Sequence, residues 1–319
     1  MTMQTQKQQP QLAGMIKGQM FEGYLLVRTA EQRTAANGTK YLDLNLSDLS
    51  GEVNGKMWDG NTKPPEVSSV IKVRAMMNEY NGRAQLRVDK LRTLNEGETV
   101  DMSLLVPTAP DDPEIMANAI RERVEAFADP ELKALVSKRL DECGGRLMYY
   151  PAAVKLHHAE RSGLLHHTST MLRAAEAICG IYPQLDADLL AAGVILHDLC
   201  KIQEMDASTA GLASTYTAEG QQLGHLVMGV TALDRAGREL GTRKELLLLL
   251  EHMILSHHDL PEYGSPKQPM FPEAEVLHVL DLLDARLFEM GQALRQVEPG
   301  AFTDRIWSLE RKLYRREDV

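Results

Sequence analysis

Leucine stands at every second position from Leu42 to Leu46, with Tyr41, Asp43 and Asn45 outside and between, and this two-residue period constrains the fold more than any other feature of the chain. Successive side chains of a strand point to opposite faces, so residues 41–47 read as a strand with one buried face. Residues 21–28, 53–58, 71–80 and 83–91 read as further strands. Residues 48–51 supply one turn. Asn81-Gly82 supplies another, because a two-residue hairpin of type I′ needs positive φ at both positions and Asn-Gly tolerates it best. Five short strands in so small a segment predict a small closed barrel, and an OB-type barrel fits them best.

Past this segment the period changes. Pro107, Pro110 and Pro113 break the strand pattern, and helical patterning runs over 115–140. Apolar positions then recur at helical spacing: Leu164, His167, Met171 and Ala174; Leu189, Ala192, Leu196 and Leu199; Leu250, Met253, Ile254 and His257; Leu277, Asp281, Ala285 and Phe288. No longer repeat is superimposed on them. The expectation is a multidomain chain, a small all-β barrel followed by an all-α domain. Its parts are a mobile Gln-rich tail (1–18), the barrel (19–97), a helical linker (98–150), the helical domain (151–295) and a C-terminal helix (296–319). A length of 319 residues suits two domains.

Charge divides along the same line. The net charge is −10, yet residues 19–97 hold 11 Lys and Arg against 10 Asp and Glu, so the acidity lies elsewhere in the chain. An acidic second half suits cations, and a neutral barrel leaves room for a basic face. Lys72 and Arg74 share one face of their strand, Arg87 reaches the exposed face of the next, and Tyr41, Trp58 and Tyr24 offer rings on which bases stack. Cations mixed with π-faces are what an OB barrel needs to hold a single nucleic-acid strand. The alternative is aromatics in the core and cations on a solvated face. Three cysteines (Cys143, Cys179, Cys200) without CxxC spacing argue against disulfides and thiolate zinc sites. The first residues lack a secretory pattern, and no apolar run nears the ~20 residues that span a bilayer. A cytoplasmic protein without membrane contact is expected.

All ten histidines lie after residue 156. His167 and His257 fall in the apolar stripes of two helices, Asp281 falls in that of a third, and His197-Asp198 closes the apolar run LLAAGVILHD. A lone histidine on such a face is most simply a hydrogen-bonded core residue. Burying several ionisable groups together costs several kcal/mol each unless they share a partner, and a divalent cation is such a partner. Imidazole and carboxylate without thiolate suit Mn²⁺, Fe²⁺, Co²⁺, Ni²⁺, Zn²⁺ or Mg²⁺, with Mn²⁺ favoured.

At HDLCK (197–201) the chain resembles the HD-domain metal-dependent phosphohydrolases, and the order of OB barrel, helical linker and HD domain is similar to that of the YhaM-type 3′→5′ exoribonucleases. The stretches PAAVKLHHAERSGLLHHT, YPQLDADLLAAGVILHDLCK and LSHHDLPEYGSPKQPMFPEAEVLHVLDLLDARL carry the likeness. The resemblance implies His167, His197, Asp198, His225 in QLGHLVMG, His257 and a closing aspartate as metal ligands. Asp281 is preferred for the last, and Asp284, three residues on along the same helix face, stays open. In the two-metal arrangement Asp198 lies between the cations, with His167, His197 and Asp281 on one and His225 and His257 on the other. Lys201 neutralises phosphoryl charge or forms a salt bridge.

The chain departs from the family pattern at His166, where polar or acidic residues are usual, and at Ser162, Cys200 and Asp259, where glycine is usual. His157, His158 and His258 have no assigned role, the last two being open as phosphate contacts or supports. The implied function is metal-dependent 3′→5′ hydrolysis of single-stranded RNA or DNA to nucleoside 5′-monophosphates, by water, in a homo-oligomer. A phosphodiesterase or nucleotidase for small nucleotides with a regulatory barrel is the main alternative, and a binding protein with an inactive HD fold is a third.

Overall fold

The computed structural model describes residues 9–317. They form two compact units, one drawn from residues up to Thr108 together with Ser208–Ala210, the other from Ala109–Ala207 and from Gly211 onward.

The first unit is a closed barrel in the order β1-β2-β3-β5-β4. Its strands are β1 (Met20–Thr34), β2 (Lys40–Asp48), β3 (Gly51–Met57), β4 (Val70–Tyr80) and β5 (Arg83–Thr93). The leucine alternation does what its period demands: Leu42, Leu44 and Leu46 are buried with Phe21, Leu25, Ile71, Val73 and Leu86. Each such side chain contributes roughly 1.5–3 kcal/mol. A bulge between Val27 and Thr29 lets the long β1 bend, so that its first half pairs with β4 and its second with β2. β3 runs parallel to β5 and closes the barrel. Asn81 and Gly82 both have positive φ, as their hairpin requires.

The expectation of a mobile tail over 1–18 is corrected for residues 9–18, while 1–8 lie outside the described residues. Leu12 is buried in the barrel core and its N–H donates to Asp48 Oδ2 at 2.8 Å. Gln9 bonds both the N–H and the C=O of Tyr24 through its side-chain amide, at 2.8 and 3.1 Å. An apolar anchor and an amide that imitates a neighbouring strand hold what composition alone would leave loose.

The second unit contains α1 (Pro113–Glu125), α2 (Pro130–Cys143), α3 (Gly163–Ile181), α4 (Ala187–Leu196), α5 (Lys201–Glu204), α6 (Ala218–Leu240), α7 (Lys244–Ser256) and α8 (Pro272–Leu294), with a short hairpin, β6 (Met205–Ala207) and β7 (Ala213–Tyr216). Asp112, Asp129 and Asp186 cap α1, α2 and α4, and Pro113 and Pro130 stand at first-turn positions whose N–H would have no helical partner. Every residue of α4 from Leu189 to Leu196 is buried. A helix apolar on all sides belongs at the centre, and α2, α3, α7 and α8 pack around this one.

Two expected boundaries change. The segment 98–150 is no helical linker: Met116, Ile120, Val124, Leu132, Leu135 and Leu140 of α1 and α2 lie in the same core as α4. Nor is there a helix over 296–317; those residues fold back on themselves through antiparallel bridges Phe302–Tyr314 and Ile306–Arg311. No helix among the described residues is long and apolar enough to cross a membrane.

Candidate metal centre

Five helices deliver polar groups to the C-terminal end of α4. His167 comes from α3; His197 and Asp198 follow the last turn of α4; His225 comes from α6, His257 from the end of α7 and Asp281 from α8. His167, His197 and His257 are wholly buried, Asp198 is 2% exposed and His225 9%.

Every histidine of this group is held by Nδ1. His167 Nδ1 donates to Asp284 Oδ2 at 2.7 Å, His197 Nδ1 to the Val194 carbonyl at 2.8 Å, His225 Nδ1 to Glu204 Oε1 at 3.0 Å and His257 Nδ1 to the Ile254 carbonyl at 2.8 Å. Fixing the proton on Nδ1 leaves the lone pair of each Nε2 aimed inward, the arrangement in which imidazole binds metals. His167 Nε2 lies 3.3 Å from His197 Nε2, 3.3 Å from Asp281 Oδ1 and 3.7 Å from Asp198 Oδ2. His225 Nε2 and His257 Nε2 lie 3.4 and 3.8 Å from Asp198 Oδ1. Lone pairs facing one another and facing carboxylates repel unless positive charge stands between them.

Three of these atoms, Asp198 Oδ1, His225 Nε2 and His257 Nε2, are buried without a hydrogen-bond partner. Leaving three such atoms dry and unpaired costs about 1–3 kcal/mol or more each. A cation coordinated by all three removes the cost, so the donor set fits a divalent metal. His167, His197 and Asp198 form one potential metal-holding group, His197, His257 and Asp281 a second, and His225, His257 and His258 a third.

The electrostatics ask for the same charge. Burial opposes ionisation of Asp198, but Lys201 and His197 outweigh it and hold the carboxyl well below its ordinary range; Asp281 is held down likewise, chiefly by His167 against burial. Burial works against a charged His167, yet Asp281 and Asp284 raise it to about 9, so its Nε2 also holds a proton until a cation takes that proton's place. Burial pushes His257 well down, lowers His258, and with Lys201 brings His157 to about 3. These last three imidazoles are neutral.

The aspartate pair separates by function. Asp281 Oδ1 faces the donor cluster, whereas one oxygen of Asp284 accepts from both His167 Nδ1 and His158 Nε2, each at 2.7 Å. His166 donates to Glu160 Oε1 at 2.8 Å, away from the cluster. Lys201 Nζ binds Asp198 Oδ2 at 2.7 Å and so leaves Oδ1 to His225 and His257. Glu204, which no sequence pattern singled out, accepts both the backbone N–H and Nδ1 of His225. Its only trace in the sequence is its place one helical turn after Lys201.

Gly224 explains how His225 reaches the cluster. Its φ of 70° and ψ of 160° lie where only glycine is comfortable, and the kink they impose turns α6 toward Glu204. Ser162 and Asp259, which replace glycines of the family pattern, both have a φ of 61°, so the chain keeps the left-handed turns there without the glycines. Cys200 has a φ of −74° and needs none.

On the barrel, the residues proposed for nucleic acid fall on two sides. Tyr41 and Trp58 face each other at 4.7 Å between ring centroids, and Lys56 Nζ stands 5.0 Å over Tyr41 and 5.7 Å over the Tyr80 ring. Arg87 pairs in register with Lys56 and lies 3.4 Å from Asp89. Lys72 and Arg74 instead pair with Tyr24 and Glu22 of β1, Lys72 standing 5.4 Å over the Tyr24 ring, whose hydroxyl donates to Glu98. The sequence reading missed Lys56 and Tyr80. The two-residue period that places Trp58 outward places Lys56 beside it.

Comparisons with known proteins agree with this architecture. The HD domain family matches residues 164–286. The 3′-5′ exoribonuclease YhaM of Bacillus velezensis is 38% identical over 302 residues, covering 93% of this chain and 95% of the relative; that of Bacillus subtilis is 39% identical over 302 residues with the same coverage. A Geobacillus YhaM is 38% identical over 300 residues, covering 93% and 92%. Among solved structures, the second OB-fold domain of replication protein A from Methanococcus maripaludis aligns with 29% of this chain and 98% of its own length at 14% identity, with a TM-score of 0.23 that carries no weight.

Proposed function

The chain belongs to the YhaM family of 3′-5′ exoribonucleases and is a metal-dependent 3′-5′ exonuclease with an HD domain, and from that premise we propose that it degrades single-stranded RNA to nucleoside 5′-monophosphates at the cluster around Asp198. The observation that carries this reading is the convergence of buried, unpartnered Asp198 Oδ1, His225 Nε2 and His257 Nε2 beside the facing nitrogens of His167 and His197.

His167, His197, Asp198 and Asp281 would hold one divalent cation, and Asp198, His225 and His257 would hold a second, with manganese foremost among the candidates. Bound there, the cations supply Lewis acidity toward water and toward the phosphoryl oxygens. Asp198 can serve both sides because its Oδ2 faces His167 and His197, at 3.7 and 3.4 Å, while its Oδ1 faces His225 and His257, at 3.4 and 3.8 Å. Asp284 and Glu204 keep His167 and His225 in the tautomer whose Nε2 can donate. When phosphate enters, Lys201, whose ammonium stands 2.7 Å from Asp198 Oδ2, would share its charge.

The barrel supplies grip. Tyr41, Trp58 and Arg87, joined by Lys56 and Tyr80, offer rings and charge on one face, and Lys72 and Arg74 offer charge on another. The protein acts in the cytoplasm, which agrees with its three free thiols, and as a homo-oligomer. Val279, Leu283 and Leu287 form an exposed stripe at four-residue spacing on α8, and Trp307 is 85% exposed, surface that a second copy would cover.

The test is incubation with 5′-end-labelled single-stranded RNA and DNA, with Mn²⁺, Mg²⁺ or chelator. A descending ladder on RNA that chelator abolishes is expected. Rapid turnover of cyclic or free nucleotides with RNA left intact would replace this reading by a small-nucleotide phosphodiesterase. Light scattering reads the oligomer in the same preparation.

A further inference from the structure

We infer that His158, Glu160 and His166 form a separate site for a divalent transition-metal ion of the Zn²⁺ class, outside the cluster around Asp198. Its ligand atoms are His158 Nδ1, a carboxylate oxygen of Glu160 and His166 Nδ1. The site stands apart from the reaction proposed above and does not depend on how many cations the Asp198 cluster takes.

The inference starts from the proton on His158. His158 Nε2 lies 2.7 Å from Asp284 Oδ2, and His158 and His167 keep that carboxyl ionised against its burial, so the oxygen can only accept and Nε2 carries the proton. The lone pair is then on Nδ1. That atom is buried without a hydrogen-bond partner in a residue 1% exposed, and it stands 3.7 Å from Glu160 Oε1. A lone pair facing a carboxylate in a dry interior is repelled by it. A second proton on His158 would answer the charge but not the distance, since at 3.7 Å an N–H makes no hydrogen bond. Ligands bound ~2.0–2.1 Å from one ion stand roughly 3–4 Å from one another, and a metal ion answers both.

Glu160 and His166 complete the set. Burial opposes ionisation of Glu160, yet His158 and His166 hold it at about 2, so the group is a carboxylate. His166 Nδ1 lies 2.8 Å from the same Oε1, and one donor atom from each of the three residues falls within 4.8 Å of the others. The imidazoles of His158 and His166 are 4.6 Å apart between centroids and nearly perpendicular, at 88°. An arriving cation takes the place of the proton that His166 shares with Glu160. The His166 side chain is 18% exposed, which leaves a way in for the ion and room for water in its remaining position.

The backbone commits His158 to this place. Its φ of 51° is a left-handed conformation that a residue with a side chain adopts only against strain, and its carbonyl accepts from the Ala152 N–H at 3.0 Å. Gly163 allows that carbonyl to sit where it does, because a Cβ on Gly163 would stand 2.0 Å from it. Two imidazoles and one carboxylate without thiolate suit Zn²⁺. His166, one of the departures from the family pattern, supplies the ligand that makes three.

Metal content tests the site. Full-length protein saturated with Zn²⁺ and freed of excess by gel filtration should hold one equivalent more, by elemental analysis, than His166→Leu treated in the same way. That difference is the same whether the Asp198 cluster takes one cation or two, and it stands even if RNA is not hydrolysed. Equal content in the two proteins would leave Glu160 and His166 as a hydrogen-bonded ion pair and overturn the site. His166→Cys guards against a leucine that merely disturbs α3. Loaded with Co²⁺, it should gain a thiolate-to-metal charge-transfer band in the near ultraviolet that the wild-type protein, whose three thiols lie elsewhere, does not show. Absence of that band from Co²⁺-loaded His166→Cys would equally sink the assignment.

Discussion

The two units hold their polar groups under opposite conditions. On the barrel, Arg74, Arg87 and Trp58 are exposed, and water satisfies whatever protein neighbours do not. In the helical unit, Asp198, His197 and His257 are buried, and nothing but another buried group can satisfy them. Chemistry is written plainly in the second case because an unpaired buried donor has few innocent explanations. In the first, the same side chains serve equally as a solvated surface or as a grip on a strand.

That contrast can be broken most severely at Asp198. Asp198→Ala should reduce RNA hydrolysis by roughly 10³-fold or more while leaving RNA affinity, measured by fluorescence anisotropy, nearly unchanged. Loss of binding together with hydrolysis would mean that the cluster, and not the barrel, holds the strand. A smaller effect is expected one layer out. Asp284→Asn keeps an acceptor for His167 but removes its charge, and metal affinity by calorimetric titration should fall about 10-fold to 100-fold. An unaltered affinity would reduce Asp284 to a packing role.

The barrel should answer in the opposite currency. Trp58→Ala removes one stacking surface beside Tyr41 and should weaken RNA binding by ~1–3 kcal/mol, raising KM with kcat on a dinucleotide unchanged. Equal losses on dinucleotide and long RNA would remove this face from strand binding. The smallest effect belongs to the β1–β4 side. Arg74→Gln should lower the slope of log affinity against log salt by about 0.7 if Arg74 meets a phosphate. No change in slope there, with a change for Arg87→Gln, would confine the strand to the β2–β3–β5 face.

Legibility in the sequence followed the same division. Leu42, Leu44 and Leu46 disclosed the barrel because a strand's period and its burial are one fact. His167, His257 and Asp281 disclosed the cluster because each broke an apolar stripe. Glu204 stayed hidden because it sits in a four-residue helix, where no period exists to break. The segment 98–150 was misjudged because prolines that start helices look, in sequence, like prolines that punctuate a linker. The C-terminal helix was misjudged as well, since bridges such as Phe302–Tyr314 join residues too far apart for local pattern to register.

By itself the sequence determined two architectures, the residue types of a metal centre and, through HDLCK and its neighbours, a family. These are local properties: hydrophobic period, turn chemistry and the cost of burying charge act over a few residues. Only the tertiary structure decided that Asp281 faces the cluster while Asp284 supports His167, that Lys201 restrains one oxygen of Asp198, and that His258 turns toward His225 and His257. Those distinctions depend on angstrom-scale distances among α3, α5, α6, α7 and α8, and residues on one helix face, three apart, are equivalent until another helix packs against them.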